Sequence, residues 1–212
     1  MKLGAALVVL ALLLFGVFAA AFGLTARDDE DPRPLASAES TVYRGSEPPA
    51  GIRLPNFALR DYTGELVRSA DLRGKVIVIT FLDSQCTESC PVIASQIGRT
   101  IDLLASSERD YVEAVAISTD PAEDTRASVG RFLARQRAVG KLWFLTRPER
   151  AIRSVWKSFA ILSSLESGKD TLHSAPVRVY DRAGIWVSTL HVGVDLTPLN
   201  LAHDIRAAYG AQ

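Results

Sequence analysis

The chain holds two cysteines, Cys86 and Cys90, inside the stretch Lys75–Ile93, KVIVITFLDSQCTESCPVI. A Cys-x-x-Cys pair is poised for a fast, low-potential disulfide. The extra residue in Cys86-Thr-Glu-Ser-Cys90 stacks both sulfurs on one face if the turn is helical. Two thiolates that point the same way can form a disulfide or clamp a soft metal such as Cu(I), and a helix N-terminus lowers thiol pKa for both jobs. Lone cysteines are often core residues. A strand-to-helix turn is a different setting from a buried run, and it favours chemistry here.

That setting is legible on both sides of the pair. Val76–Leu82 is short, β-branched and aromatic, and bounded by Gly74 and polar residues, the pattern of a buried central strand. After Cys90, Pro91 suits a first helical turn, and Val92, Ile93, Ile97, Ile101 and Leu104 recur at helical spacing. The cysteines therefore lie at the carboxyl end of a strand, where open α/β sheets bind ligands.

A length of 212 residues carries one ordinary domain plus whatever precedes it. Lys plus Arg and Asp plus Glu are 24 each, so the formal charge is zero and no extended nucleic-acid surface is expected. Two cysteines are too few for a stapled scaffold, so the fold rests on its hydrophobic core and the pair is free for chemistry.

Gly4–Leu24 is an uncharged stretch of 21 residues behind Lys2. It is long enough to cross a hydrocarbon core of about 30 Å at about 1.5 Å per residue. The reading is an N-terminal membrane anchor over residues 1–25, retained in preference to a signal peptide cleaved near Ala19–Ala21. The bulk of the chain is then exported. Residues 26–51, with Asp28, Asp29, Glu30 and Asp31 followed by scattered Pro, Ser and Ala, read as a flexible tether. The folded domain is assigned to 52–212.

Within it, Ile52–Leu59, the turn Asp61-Tyr62-Thr63-Gly64 and Glu65–Val67 predict an N-terminal β-hairpin. Tyr111–Ser118 and Leu142–Leu145 predict two further strands, with helices over Asp124–Val139 and Glu149–Phe159. A second hairpin is expected from Val177–Tyr180 and Ile185–Val192, then a closing helix from Pro198 to Tyr209 with Thr197 as N-cap. Strands and helices alternate, so the fold is α/β with a partly parallel sheet.

A copper or zinc site built on two thiolates wants a histidine. His203, in the last helix, reads as a surface residue, and His191 as an outward residue of the last strand. His173 follows a polar loop and shortly precedes the Val177 strand, and spacing alone leaves it open.

The residues at the joints resemble the SCO/SenC family, membrane-anchored thioredoxin-like proteins concerned with copper assembly of cytochrome oxidase. The joints are Gly74-Lys75-Val76 leading to Thr80-Phe81; Cys86-x-x-x-Cys90-Pro91; Ile117-Ser118-x-Asp120-Pro121 with Asp124-Thr125; Val155-Trp156-Lys157; and His173-Ser174, with Asp181 beyond the following strand. The resemblance covers nearly the whole chain. It implies a thioredoxin-like mixed sheet flanked by helices, and one copper ion held by Cys86, Cys90 and His173. Two positions depart from the family pattern: Thr87 stands where a proline is common and Leu172 where an aspartate is common. A missing carboxylate beside His173 alters how its imidazole is oriented.

Two functions follow from the resemblance. In the first the protein is a metallochaperone that holds Cu(I) or Cu(II) and passes it to the copper-bearing subunit of cytochrome c oxidase by ligand exchange. In the second Cys86 and Cys90 are the redox pair of a thiol-disulfide oxidoreductase acting on the apo-oxidase cysteines. Other copper chaperones or thiol reductants are the further partners implied. Pro176 lies close to where many thioredoxin-like oxidoreductases carry a cis-proline. Peroxide reduction ranks behind both, because thioredoxin-like peroxidases resemble one another in a Thr three residues before the reactive Cys, and here that position is Asp83. The expected location is a bacterial-type inner (plasma) membrane, single-pass, with the domain on the periplasmic or extracytoplasmic side.

Overall fold

In the computed structural model, residues 42–161 and 175–211 are described. The 4–24 stretch and His173 lie outside them. Among the described residues no helix is long and apolar enough to cross a membrane.

The element order is β1 (Ala58–Asp61), β2 (Leu66–Arg68), a 3-10 turn (Ser69–Leu72), β3 (Val76–Leu82), α1 (Ser89–Leu103), the single-turn α2 (Ser106–Arg109), β4 (Val112–Ser118), α3 (Arg126–Arg135), β5 (Trp143–Arg147), α4 (Glu149–Ser158), β6 (Val177–Tyr180), β7 (Trp186–Leu190) and α5 (Pro198–Gly210). The strands form one mixed sheet in the order β2-β1-β5-β4-β3-β6-β7. β3, β4 and β5 run parallel, while β1 and β6 pair antiparallel to β5 and β3. The two expected hairpins, β1–β2 and β6–β7, are present.

All seven residues of β3 are buried, which explains why its sequence is a continuous apolar run rather than an alternation. A central strand must bury both faces, and each fully buried Ile or Leu there contributes about 1.5–3 kcal/mol. β3 and β4 are in register from Val76↔Val112 to Leu82↔Ser118, so both strands stop at the same level. Thr119 N–H extends the ladder by donating to Leu82 C=O at 2.9 Å. Two loops therefore leave the sheet side by side: 83–88, carrying Cys86, and 119–125.

The helix expected over Asp124–Val139 is shorter. Thr125 caps it by accepting from Ser128 N–H at 3.2 Å, and Arg137 has a positive φ of 55° just past its end. Asp124 is thereby left in the loop. In α1, Ile93 and Ile97 face the core but Val92 is 41 % exposed, off the apolar stripe. α1 packs against α5, and α4 against β5 and β1.

Composition assigned residues 42–51 to the tether, yet they belong to the compact unit that begins at Val42. Tyr43 is buried, Ser46 bridges Thr189 on the outer edge of β7, and Arg53 bridges Ile185 just before that strand begins. The backbone N–H groups of Arg44 and Gly45 donate to the buried carboxylate of Asp204 at 2.7 and 3.0 Å. A polar stretch is held here by backbone bonds, which hydropathy does not register.

Candidate metal and thiol site

The two cysteines sit where β3 hands over to α1. Cys90 occupies the first turn of α1 and is 3 % exposed; Cys86 lies in the preceding turn and is half-buried. The helix begins at Ser89, so no helical turn stacks the sulfurs as the spacing suggested. The turn itself brings them together. Asp83 accepts at its backbone oxygen from Cys86 N–H at 3.3 Å and at Oδ1 from Gln85 N–H at 2.6 Å. Both cysteines are free thiols, and the Cys86 side chain is a hydrogen-bond partner of Cys90.

Burial pushes the Cys90 thiol far above its ordinary pKa, and the neighbouring Cys86 adds to the rise; a hydrogen bond from the backbone of Asp83 opposes it. The expected lowering by the helix N-terminus does not govern this cysteine, because desolvation of a thiolate outweighs a partial dipole charge. Cys90 is a protonated, sheltered thiol beside the more accessible Cys86. That asymmetry suits an entry ligand or attacking group at Cys86 and a second sulfur behind it.

A buried polar brace lies next to the turn. Asp124, fully buried, accepts from Ser84 N–H at 2.8 Å and from Ser118 Oγ at 2.6 Å. Trp156 Nε1 donates to Ser118 C=O at 2.9 Å. Burial raises the Asp124 pKa to about 6 against the pull of the Ser118 and Ser84 hydrogen bonds. Sequence reasoning noted Ser118, Asp124 and Trp156 as joints but gave them no role. The available signal was their placement: polar residues at the ends of apolar strands and helices.

Among the described residues no group of three His, Cys, Asp or Glu side chains can hold a metal ion, so the site as described offers two sulfurs. Neither of the other two histidines forms such a group with the cysteines. His203 Nδ1 lies 3.1 Å from Asp204 Oδ1. His191, expected within the last strand, follows its end at Leu190, where its backbone N–H donates to Asp195 Oδ1. Pro176 does not carry the cis bond of thioredoxin-like oxidoreductases; among the described residues the cis peptide is Arg147–Pro148.

The family profile described as SCO1/SenC matches residues 47–209. The chain belongs to the SCO1/SenC family. The SCO2-like protein of Rickettsia conorii is 26% identical over 200 residues, covering 92% of each chain. Among solved structures of this SCO1/SenC fold, ScoI of Bradyrhizobium japonicum with copper bound is 26% identical, with a TM-score of 0.57 over 74% of this chain and 98% of that one. BsSco, a member of the Sco family of cytochrome c oxidase assembly proteins with a disulfide switch, is 22% identical with a TM-score of 0.64, covering 79% and 99%. The seven-stranded mixed sheet with flanking helices is thus the thioredoxin-like fold of the SCO1/SenC proteins.

Proposed function

We propose that this SCO1/SenC protein is a copper chaperone that binds one copper ion through Cys86, Cys90 and His173 and delivers it to cytochrome c oxidase during assembly. The observation that supports it is the contact between a half-buried and a buried thiol at the carboxyl end of β3. Two sulfurs held that way suit a soft cation, and thiolate ligands select Cu(I). The family relative from Bradyrhizobium japonicum has copper bound. Copper is the cargo: on binding it displaces the protons of Cys86 and Cys90, which compensates the desolvation that keeps Cys90 protonated. His173 enters as a neutral imidazole. Residues 1–25 serve as a single-pass anchor in a bacterial-type inner membrane, with the domain on the extracytoplasmic side next to the oxidase subunit.

A second reading is thiol-disulfide exchange with the apo-oxidase cysteines. The free, adjacent thiols favour it, since Cys86 can attack a partner disulfide and Cys90 resolve the mixed intermediate. The two roles are compatible, because a Cys86–Cys90 disulfide cannot hold copper.

The test is an anaerobic Cu(I) titration of the reduced full chain with chelator competition, for wild type, Cys86→Ser and His173→Ala. One tightly bound copper, weakened at least tenfold by either substitution, supports the three-ligand site. Loose binding, or His173→Ala equal to wild type, overturns it and leaves thiol exchange.

A further inference from the structure

The loops 83–88 and 119–125 leave the sheet together because β3 and β4 end in register at Leu82↔Ser118. A turn that carries a reactive side chain needs something to hold it in place, and here the holding group comes from the neighbouring loop. Asp124, 40 positions from Ser84 along the chain, accepts its N–H at 2.8 Å. The other carboxylate oxygen accepts from Ser118 Oγ at 2.6 Å, and Ser118 is in turn fixed by Trp156 Nε1 on its carbonyl. All of these side chains are buried: Asp124 and Ser118 at 0 %, Ser84 at 4 % and Trp156 at 3 % exposure. Ser84 stands two residues before Cys86 in the turn closed on Asp83.

We propose that Asp124 is a positioning residue for the dithiol: by pinning Ser84 it fixes the turn that holds Cys86 against Cys90, and so sets how readily the two sulfurs join. The inference rests on Cys86 and Cys90 being the working pair, and on nothing about copper. Holding two reacting groups in contact raises their effective concentration toward each other. A loosened turn lowers it and makes the intramolecular disulfide less favourable relative to an external one.

The experiment equilibrates the full chain with reduced and oxidised glutathione and measures the dithiol/disulfide ratio. In this reaction Cys86 and Cys90 give up two electrons and two protons and form one disulfide, while glutathione disulfide is cleaved to two glutathione thiols. Asp124→Ala is expected to lower the oxidation constant at least tenfold, a rise of about 30 mV in potential for a two-electron couple. Asp124→Asn keeps an acceptor for Ser84 N–H and is expected to stay within threefold of wild type. Ser118→Ala, which removes only the brace to Asp124, is expected to lower the constant by about threefold and decides the matter if Asp124→Ala does not fold.

The matched control is Ser188→Ala. Ser188 is equally buried and its hydroxyl donates at the same 2.6 Å to another buried carboxylate, that of Asp204. Its loss is expected to leave the constant unchanged. A constant that does not fall in Ser118→Ala, or that falls as far in Ser188→Ala, overturns the proposal. Because no copper enters the measurement, a chain that fails to bind copper still reports on Asp124.

Discussion

Asp204 on α5 and Gly45, separated by 159 positions, are joined by a hydrogen bond of 3.0 Å from the Gly45 N–H to Oδ2. Gly45 passes so close to β7 that an added Cβ would stand 2.4 Å from Ser188 Oγ and 2.5 Å from Thr189 O. The second neighbour is backbone and cannot rotate away. Gly45→Ala is therefore expected to destabilise the folded body by about 1–3 kcal/mol, as overpacking does. Urea denaturation of wild type and variant measures it; equal midpoints would show that the segment is not held this tightly.

Removing the carboxylate strikes the same contact from the other side. Asp204→Ala leaves the N–H groups of Arg44 and Gly45 and the Ser188 hydroxyl without their acceptor. At about 1–3 kcal/mol for each buried group left unpaired, with water reaching some of them, a loss of about 2–4 kcal/mol is expected. Amide exchange should rise first at Arg44 and Gly45, ahead of the rest of the sheet.

Asp124 imposes a pH dependence whose sign runs against the usual carboxylate. Its folded pKa is raised from 3.8 to about 6, chiefly by burial, so between these values the folded state holds the proton more tightly than the unfolded one. Stability then falls as pH rises across that window. The neutral acid can donate to Ser118 Oγ, whereas the anion is buried at a cost of up to about 3 kcal/mol by pH 7. Asp124→Asn should lose this dependence. Denaturation at pH 4 and pH 7 for both proteins checks it: a wild type as stable at pH 7 as at pH 4, once corrected for the variant's own change, contradicts the shift.

The contrast between the two thiols predicts ordered alkylation. Cys86 is half-buried, while Cys90 is 3 % exposed and held protonated by burial. Iodoacetamide at pH 8 should modify Cys86 at least tenfold faster than Cys90, because the thiolate is the nucleophile and must also be reached. Peptide mass spectrometry of a time course distinguishes the two sites. Equal rates would mean that the turn opens faster than alkylation.

Copper binding to the folded state alone must raise thermal stability. At a free metal concentration of about 100 times the dissociation constant the gain is about 2.7 kcal/mol. Calorimetry of the reduced protein with and without Cu(I) should show a higher Tm that a strong chelator reverses. Cys86→Ser should abolish the shift.

Much of this protein was determined by its sequence. The apolar run Val76–Leu82, the stop at polar residues and the helical spacing of Ile93 and Ile97 place the cysteines at a strand-to-helix junction, because burial of a central strand and of one helix face leaves a periodic record. Thr197 was readable as an N-cap for the same local reason, and its side chain accepts from Asn200 N–H. What lay beyond local pattern was decided by tertiary structure. Hydropathy placed residues 42–51 with the tether because their attachment runs through backbone N–H groups and a carboxylate far along the chain. The Cys90 thiol was expected to be activated by its helix, and burial overrides that. Asp124 looked like the start of a helix until the register of β3 with β4 set its loop beside the cysteine turn. Periodicity records which face an element buries. Which neighbour fills that face, and which polar group closes the corner, depends on pairings between residues tens of positions apart, and only the folded chain brings them together.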